Sequence, residues 1–131
     1  MNTPAVDITD ILESISSLGL VVGTNLFVGK EPSKPDDCVT LYDYGGRPPQ
    51  LTFNKTEKYE YPSVQVRVRD SDYRSGWAMA QDIADSLHGL SNEVWNGTLY
   101  TVIYVSSGPA FMTWDGNSCA IFVVNLSVQR R

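Results

Sequence analysis

The chain has 131 residues, 42% of them hydrophobic and 19% charged, with a net charge of −5. That length suits one domain with an ordinary core. The acidic balance argues against a general nucleic-acid binder, which carries a basic excess. The charge is also segregated. Residues 1–46 hold seven acids and two bases, residues 47–74 six bases and four acids, and residues 75–131 four acids and two bases. An acidic body with one basic segment suits polar contact between copies or with a partner, and equally an ordinary solvated surface. No basic start followed by an apolar run marks a signal peptide, and no stretch approaches a membrane span. Cys38 and Cys119 read as buried free thiols of a protein made in the cytoplasm.

Residues 4–18 predict a helix. Thr3 is a cap with Pro4 at the first position, and Ile8, Ile11, Leu12, Ile15 and Leu18 form one apolar stripe. Gly19 suits a left-handed stop. Leu26, Phe27 and Val28 read as a short strand, and the two prolines of residues 30–37 mark a loop. Residues 38–44 form the next strand, closed by Gly45 and Gly46. Residues 45–61 read as a long mobile loop, of the kind that in small domains is usually functional or disordered. Beyond Pro62, Val64, Val66 and Val68 alternate with Gln65, Arg67 and Arg69, the clearest strand pattern in the chain.

Residues 72–88 predict a second helix, capped by Asp72 and ended by Gly89, with Tyr73, Trp77, Ala80, Ala84 and Leu87 on one face and Ile83 beside them. Asn96-Gly97 is a tight-turn signal. Residues 98–106 read as a strand broken by Gly108-Pro109, and residues 119–128 as a last strand apolar on both faces. The fold class is therefore α+β, one domain over residues 1–131: a mostly antiparallel sheet with two helices packed on it.

Candidate chemistry is sparse. Gly23 to Lys30 looks like a phosphate loop, but five residues separate the glycines where four are needed, and Glu31 stands where Ser or Thr should. His88, the only histidine, suits the carbonyl end of the second helix as a partly positive group. Asp36, Asp37 and Asp43 could pair as carboxylates, although turns favour aspartate for local bonds. One His and two distant Cys do not readily make a zinc site. More is offered by surfaces. Gln65, Arg67 and Arg69 line one strand face, either to discourage indiscriminate pairing or to recognise a neighbouring subunit or partner. Arg47, Phe53, Tyr59 and Tyr61 in the 45–61 segment are further interface candidates, with core packing the competing role for the aromatics.

The order of these strings resembles a known family. Gly23 to Gly29 is followed by Pro35-Asp36, by Val39-Thr40-Leu41-Tyr42-Asp43-Tyr44-Gly45-Gly46, by Tyr61-Pro62-Ser63-Val64-Gln65-Val66-Arg67-Val68-Arg69, and by Tyr73 on a helix closing with Leu87-His88-Gly89. This is similar to the minor capsid, or tail terminator, proteins of long-tailed bacteriophages, over about residues 7–128 as judged from one sequence. The resemblance implies a hexameric ring at the head-proximal end of the tail tube, assembled in the host cytoplasm. Such a ring stops tube growth and presents a surface to the head-tail connector. It lets DNA through its channel without specific binding, and it involves no catalysis, cofactor or metal. Three other readings compete: a head completion or connector ring, a small hydrolase using Asp36, Asp37 or Asp43 with His88, and a monomeric module binding an acidic ligand.

Overall fold

A computed structural model describes residues 2–51 and 58–131; within 46–51 and at 58 it describes the backbone alone. Helix α1 covers Pro4–Ser14, and Thr3 Oγ1 accepts from the Val6 N–H at 3.4 Å. The apolar spacing places Ala5, Ile8, Ile11 and Leu12 in the core. The helix expected over residues 4–18 is divided. Ile15 is extended, and a separate 3-10 turn, Ser16–Leu18, ends at left-handed Gly19. Ser14 Oγ donates to the Ile11 carbonyl, the kind of bond by which serine competes with the helical ladder.

Six strands form one sheet in the order β1-β2-β3-β6-β5-β4. They are β1 (Leu26–Val28), β2 (Cys38–Leu51), β3 (Lys58–Asp70), β4 (Leu90–Trp95), β5 (Thr98–Trp114) and β6 (Ala120–Arg130). Among the described residues, only β1 with β2 pairs in parallel, and the other strand pairs are antiparallel. Helix α2 spans Tyr73–Leu87, and Asp72 caps it by accepting from the Ser75 N–H. Both helices lie on the same sheet face. Their buried stripes meet Val64, Val66 and Val68 of β3 and Phe122, Val124 and Leu126 of β6 in one core.

The loop expected over 45–61 is not there as such. Residues 45–51 and 58–61 are strand, pairing as far as Leu51 with Lys58, with irregular register around Arg47 that lets the chain carry Pro48 and Pro49. Residues 52–57 lie outside the described residues. The break expected at Gly108-Pro109 is likewise a bulge, and β5 runs on to Trp114. Gly108, at φ +92, lies so close to the Val123 carbonyl that a Cβ would come within 2.5 Å of it. Strand β4 was not anticipated, because its Ser-Asn-Glu centre shows no apolar alternation. It turns back through Asn96-Gly97, both at positive φ.

Two polar clusters hold the sheet's margins. At one end Asp7, fully buried on α1, accepts from the Tyr100 hydroxyl and from Asn96 Nδ2 at 2.6 Å. Arg130 reaches the same place. Its Nη1 donates to the Asn2 carbonyl at 2.8 Å and its Nε to Glu60 Oε2 at 3.0 Å. On the face away from the helices, the loop between β1 and β2 straps over β3. Arg69 Nη2 and Nε donate to the carbonyls of Pro35 (2.6 Å) and Asp36 (3.1 Å), and Glu31 lies 3.6 Å from both Arg67 and Arg69. Ile121, the ladder partner of Arg69, is buried on that face.

Three stability measurements follow from this packing. A Cβ on Gly76 would stand 2.7 Å from the Phe122 ring, so Gly76→Ala should cost about 1–3 kcal/mol despite its better helix propensity. An unchanged urea midpoint would contradict that contact. Arg69→Met should lower stability by about 3 kcal/mol, because it removes the strap's bonds and leaves Glu31 with a weaker partner. A loss under about 0.5 kcal/mol in urea titration, the level of an ordinary surface substitution, would show that the strap carries little. Burial, then the bond to Asp7, pushes the Tyr100 hydroxyl above its ordinary value of 10.0. An unfolded tyrosine ionises near that pH and the folded one does not. The stabilisation is therefore complete below pH 10 and lost as the pH rises past it. Tyr100→Phe should reduce the alkaline fall of the urea midpoint, and equal slopes for both proteins would refute the linkage.

Candidate functional site

Most residues with possible reactivity are held in structural bonds, and Asp37 meets Asp70 in a depression also lined by Cys38 and Arg69. Asp43 on β2 accepts from the Ala5 N–H at 2.9 Å and so caps α1 from across the sheet. Asp37 accepts from the Ser71 N–H and hydroxyl, and Asp36 pairs with Lys34 at 2.9 Å. His88 is the C-cap residue of α2, its backbone N–H donating to the Ala84 carbonyl. Its Nδ1 accepts from the Val105 N–H at 3.0 Å, which puts the ring proton on Nε2. Burial pushes the Cys38 thiol up, against reactivity. Gly23 and Gly29 bracket β1 with left-handed backbones, and Gly29 donates to the Leu41 carbonyl, so this stretch is a strand with its turns. Among the described residues, no group of three or more His, Cys, Asp or Glu is placed to hold a metal ion, and no helix is long and apolar enough to cross a membrane.

The surface candidates separate into two groups. Gln65 and Arg67 lie on the helix-free face, where Gln65 Nε2 donates to Asn125 Oδ1 at 3.3 Å and Arg67 sits beside Glu31. Arg69 is only 6% exposed and is held by the strap within its own subunit. Its use in binding a neighbour would require that strap to open. Tyr61 lines a shallow depression of about 300 Å³ on the same face, together with Ser63, Tyr104, Ser127 and Gln129. Tyr59 lies under the Arg131 guanidinium, 5.5 Å from ring centre to Cζ. Arg47 is opposite Tyr61 in the β2–β3 ladder, and Phe53 lies outside the described residues. The helix-free face is thus polar and largely uncharged along β3 and β6, with its charges gathered under the strap.

A third surface escaped the sequence reading. Tyr73 and Trp77, which share one face of α2 with Ala80, Ala84 and Leu87, are 45% and 42% exposed. With Phe111 of β5 they lie 5.1 to 6.1 Å, centroid to centroid, from the buried ring of Phe122, and Trp114 of β5 packs against Tyr73 and Phe111. The helical period was correct, but period alone does not show where the sheet beneath a stripe stops covering it. The aromatic run after Gly108 was the available signal, and it was obscured by placing a strand break there.

The arrangement offers a polar sheet face and an aromatic cluster as surfaces for contact. No curated protein matches the chain by sequence. Among solved structures, a chain from the virion of a native gene transfer agent particle is similar in fold, with a TM-score of 0.70 at 14% identity, covering 97% of this chain and 93% of that one. The family described as bacteriophage tail terminator protein matches residues 14–130. The chain therefore belongs to the bacteriophage tail terminator family and is a structural protein of phage tails.

Proposed function

We propose that this protein caps the head-proximal end of the tail tube as a six-membered ring, ends tube polymerisation and presents the surface to which the head-tail connector joins. The observation that carries this reading is the family match over residues 14–130. The physical properties of the subunit support it. A ring requires heterologous contacts, in which one patch meets a different patch on the next copy. The chain has an acidic N-terminal third and a basic segment over 47–74, a separation that suits such pairing. DNA would pass the channel without being gripped, since a subunit of net charge −5 offers no excess of cations to neutralise phosphates. The remaining surface candidates, Gln65, Arg67, Arg47, Tyr59 and Tyr61, belong to this reading as contacts to neighbours or to the tube.

Electron microscopy of cells infected by phage lacking this gene tests the assignment. Overlong tails of irregular length, with normal heads, are expected. Tails of regular length together with full heads that lose their DNA would overturn it in favour of a connector component.

A further inference from the structure

An open sheet has two edges, and an edge strand offers unpaired backbone groups to any chain that reaches it. Here β1 forms one edge. At the other, β4 covers β5 only from Thr98 to Ile103. Among the described residues no strand pairs with that side of β5 from there to Trp114. The Val105 N–H is taken by His88, which leaves residues 106–114 without a strand partner on that side.

Both edges are apolar and exposed. Val21, Val22 and Val28 are 37% to 50% exposed at β1, and Phe111, Met112 and Trp114 are 38% to 52% exposed at β5. No charged residue occurs in 19–29 or in 98–114, so the charges that commonly keep an edge from pairing are missing from both. The rings of Phe111 and Trp114 pack on half-exposed Tyr73, and the apolar surface thus continues from the β5 edge onto α2. Exposed apolar groups that touch one another in this way mark a contact surface.

The two edges also match in level, direction and bonding. Leu26, Val39, Val68, Phe122 and Phe111 are successive ladder partners, a line that crosses the sheet from β1 to β5. Side-by-side copies therefore meet β1 to β5 with no slide along their strands, the relation that closes a ring when the strands run near its axis. Strand β1 runs with β2, and three antiparallel steps lead from β2 to β5, so the two edges meet antiparallel. The Asn25 carbonyl accepts from the Val39 N–H and the Gly29 N–H donates to the Leu41 carbonyl. Alternate residues of β1 thus turn toward β2, and the backbone groups of Val28 point away from it. The two edges are unlike, as a heterologous contact requires.

We propose that the outer edge of β1, with Val21, Val22 and Val28, pairs with the open edge of β5, residues 106–114, on a second copy of this chain. The assignment rests on the ring reading above and gives it its subunit contact.

Site-specific photocross-linking of the full-length chain, alone and with tube subunits, tests it. A ¹⁵N-labelled Val28→p-benzoylphenylalanine chain, mixed with unlabelled and unmodified chain, should form an inter-copy cross-link within residues 106–114 or at the adjoining Tyr73. Met112→Lys in the unmodified partner should lower the yield about tenfold, equivalent to about 1.4 kcal/mol of lost attraction, because the ammonium group would be stripped of water at an apolar edge. Val94→Lys, on the exposed part of β4, should leave the yield unaltered. Circular dichroism confirms that both variants are folded, and the position of the cross-link is informative without them. Cross-links only elsewhere in the chain, only to tube subunits, or none in either condition would overturn the proposal. A yield indifferent to Met112→Lys, or lowered equally by Val94→Lys, would do the same. Native mass spectrometry of the same samples separates the two readings. A ring with cross-links elsewhere removes this contact and leaves the ring, whereas a strict monomer even with tube subunits present removes both.

Discussion

Both helices bury their apolar stripes on one face of a single sheet, and that one-sided packing governs the rest of the surface. The residues Val64, Val66 and Val68 on β3 and Phe122, Val124 and Leu126 on β6 form the floor beneath α1 and α2. Alternation then sends Gln65, Arg67, Asn125 and Ser127 to the opposite face. On that face Ile121 is buried beside its ladder partner Arg69, whose side chain is bonded by the β1–β2 loop. Near the start of α2 the stripe is only partly covered, and Tyr73 and Trp77 stand half-exposed over Phe122. The polar face, the strap and the aromatic cluster are all consequences of one layer of helices that is shorter than the sheet it covers.

The same economy explains why titratable groups here serve the fold. Asp7, Tyr100, Arg130 and Glu60 join the first helix to β5, β6 and β3, so elements distant in sequence are held by one satisfied polar network. Asp43 ties β2 to the start of α1, and His88 ties the end of α2 to β5. A structural subunit of a phage tail gains from such cross-ties, because they resist sliding of strands and helices. Their acceptors and donors are occupied by protein groups, which leaves the recognition chemistry to exposed rings and surface charges.

Much of the fold was legible in local sequence. The valine alternation of β3, the caps at Thr3 and Asp72, and the Asn96-Gly97 turn each rest on chemistry confined to a few neighbouring residues. The parts that escaped depend on distant partners. Pro48, Pro49 and Gly45 suggested a loop, yet β3 supplies a partner strand that draws them into a ladder. Strand β4 has no apolar period of its own and is a strand because β5 is beside it. Arg69 was one of a pair on a patterned strand, and only the folded chain shows that the carbonyls of Pro35 and Asp36 occupy it. The aromatic cluster joins residues from α2, β5 and β6, and no window of sequence contains all three.

The central claim is that this subunit acts by occupying a tube end with its surface. Tube subunits of the same phage, polymerised in vitro with increasing amounts of the purified chain, test it most directly through the length distribution of the tubes. The account predicts that amounts far below the concentration of tube subunits halt elongation, since one ring suffices for one end. Tubes that lengthen unchanged at saturating amounts of the chain would contradict it.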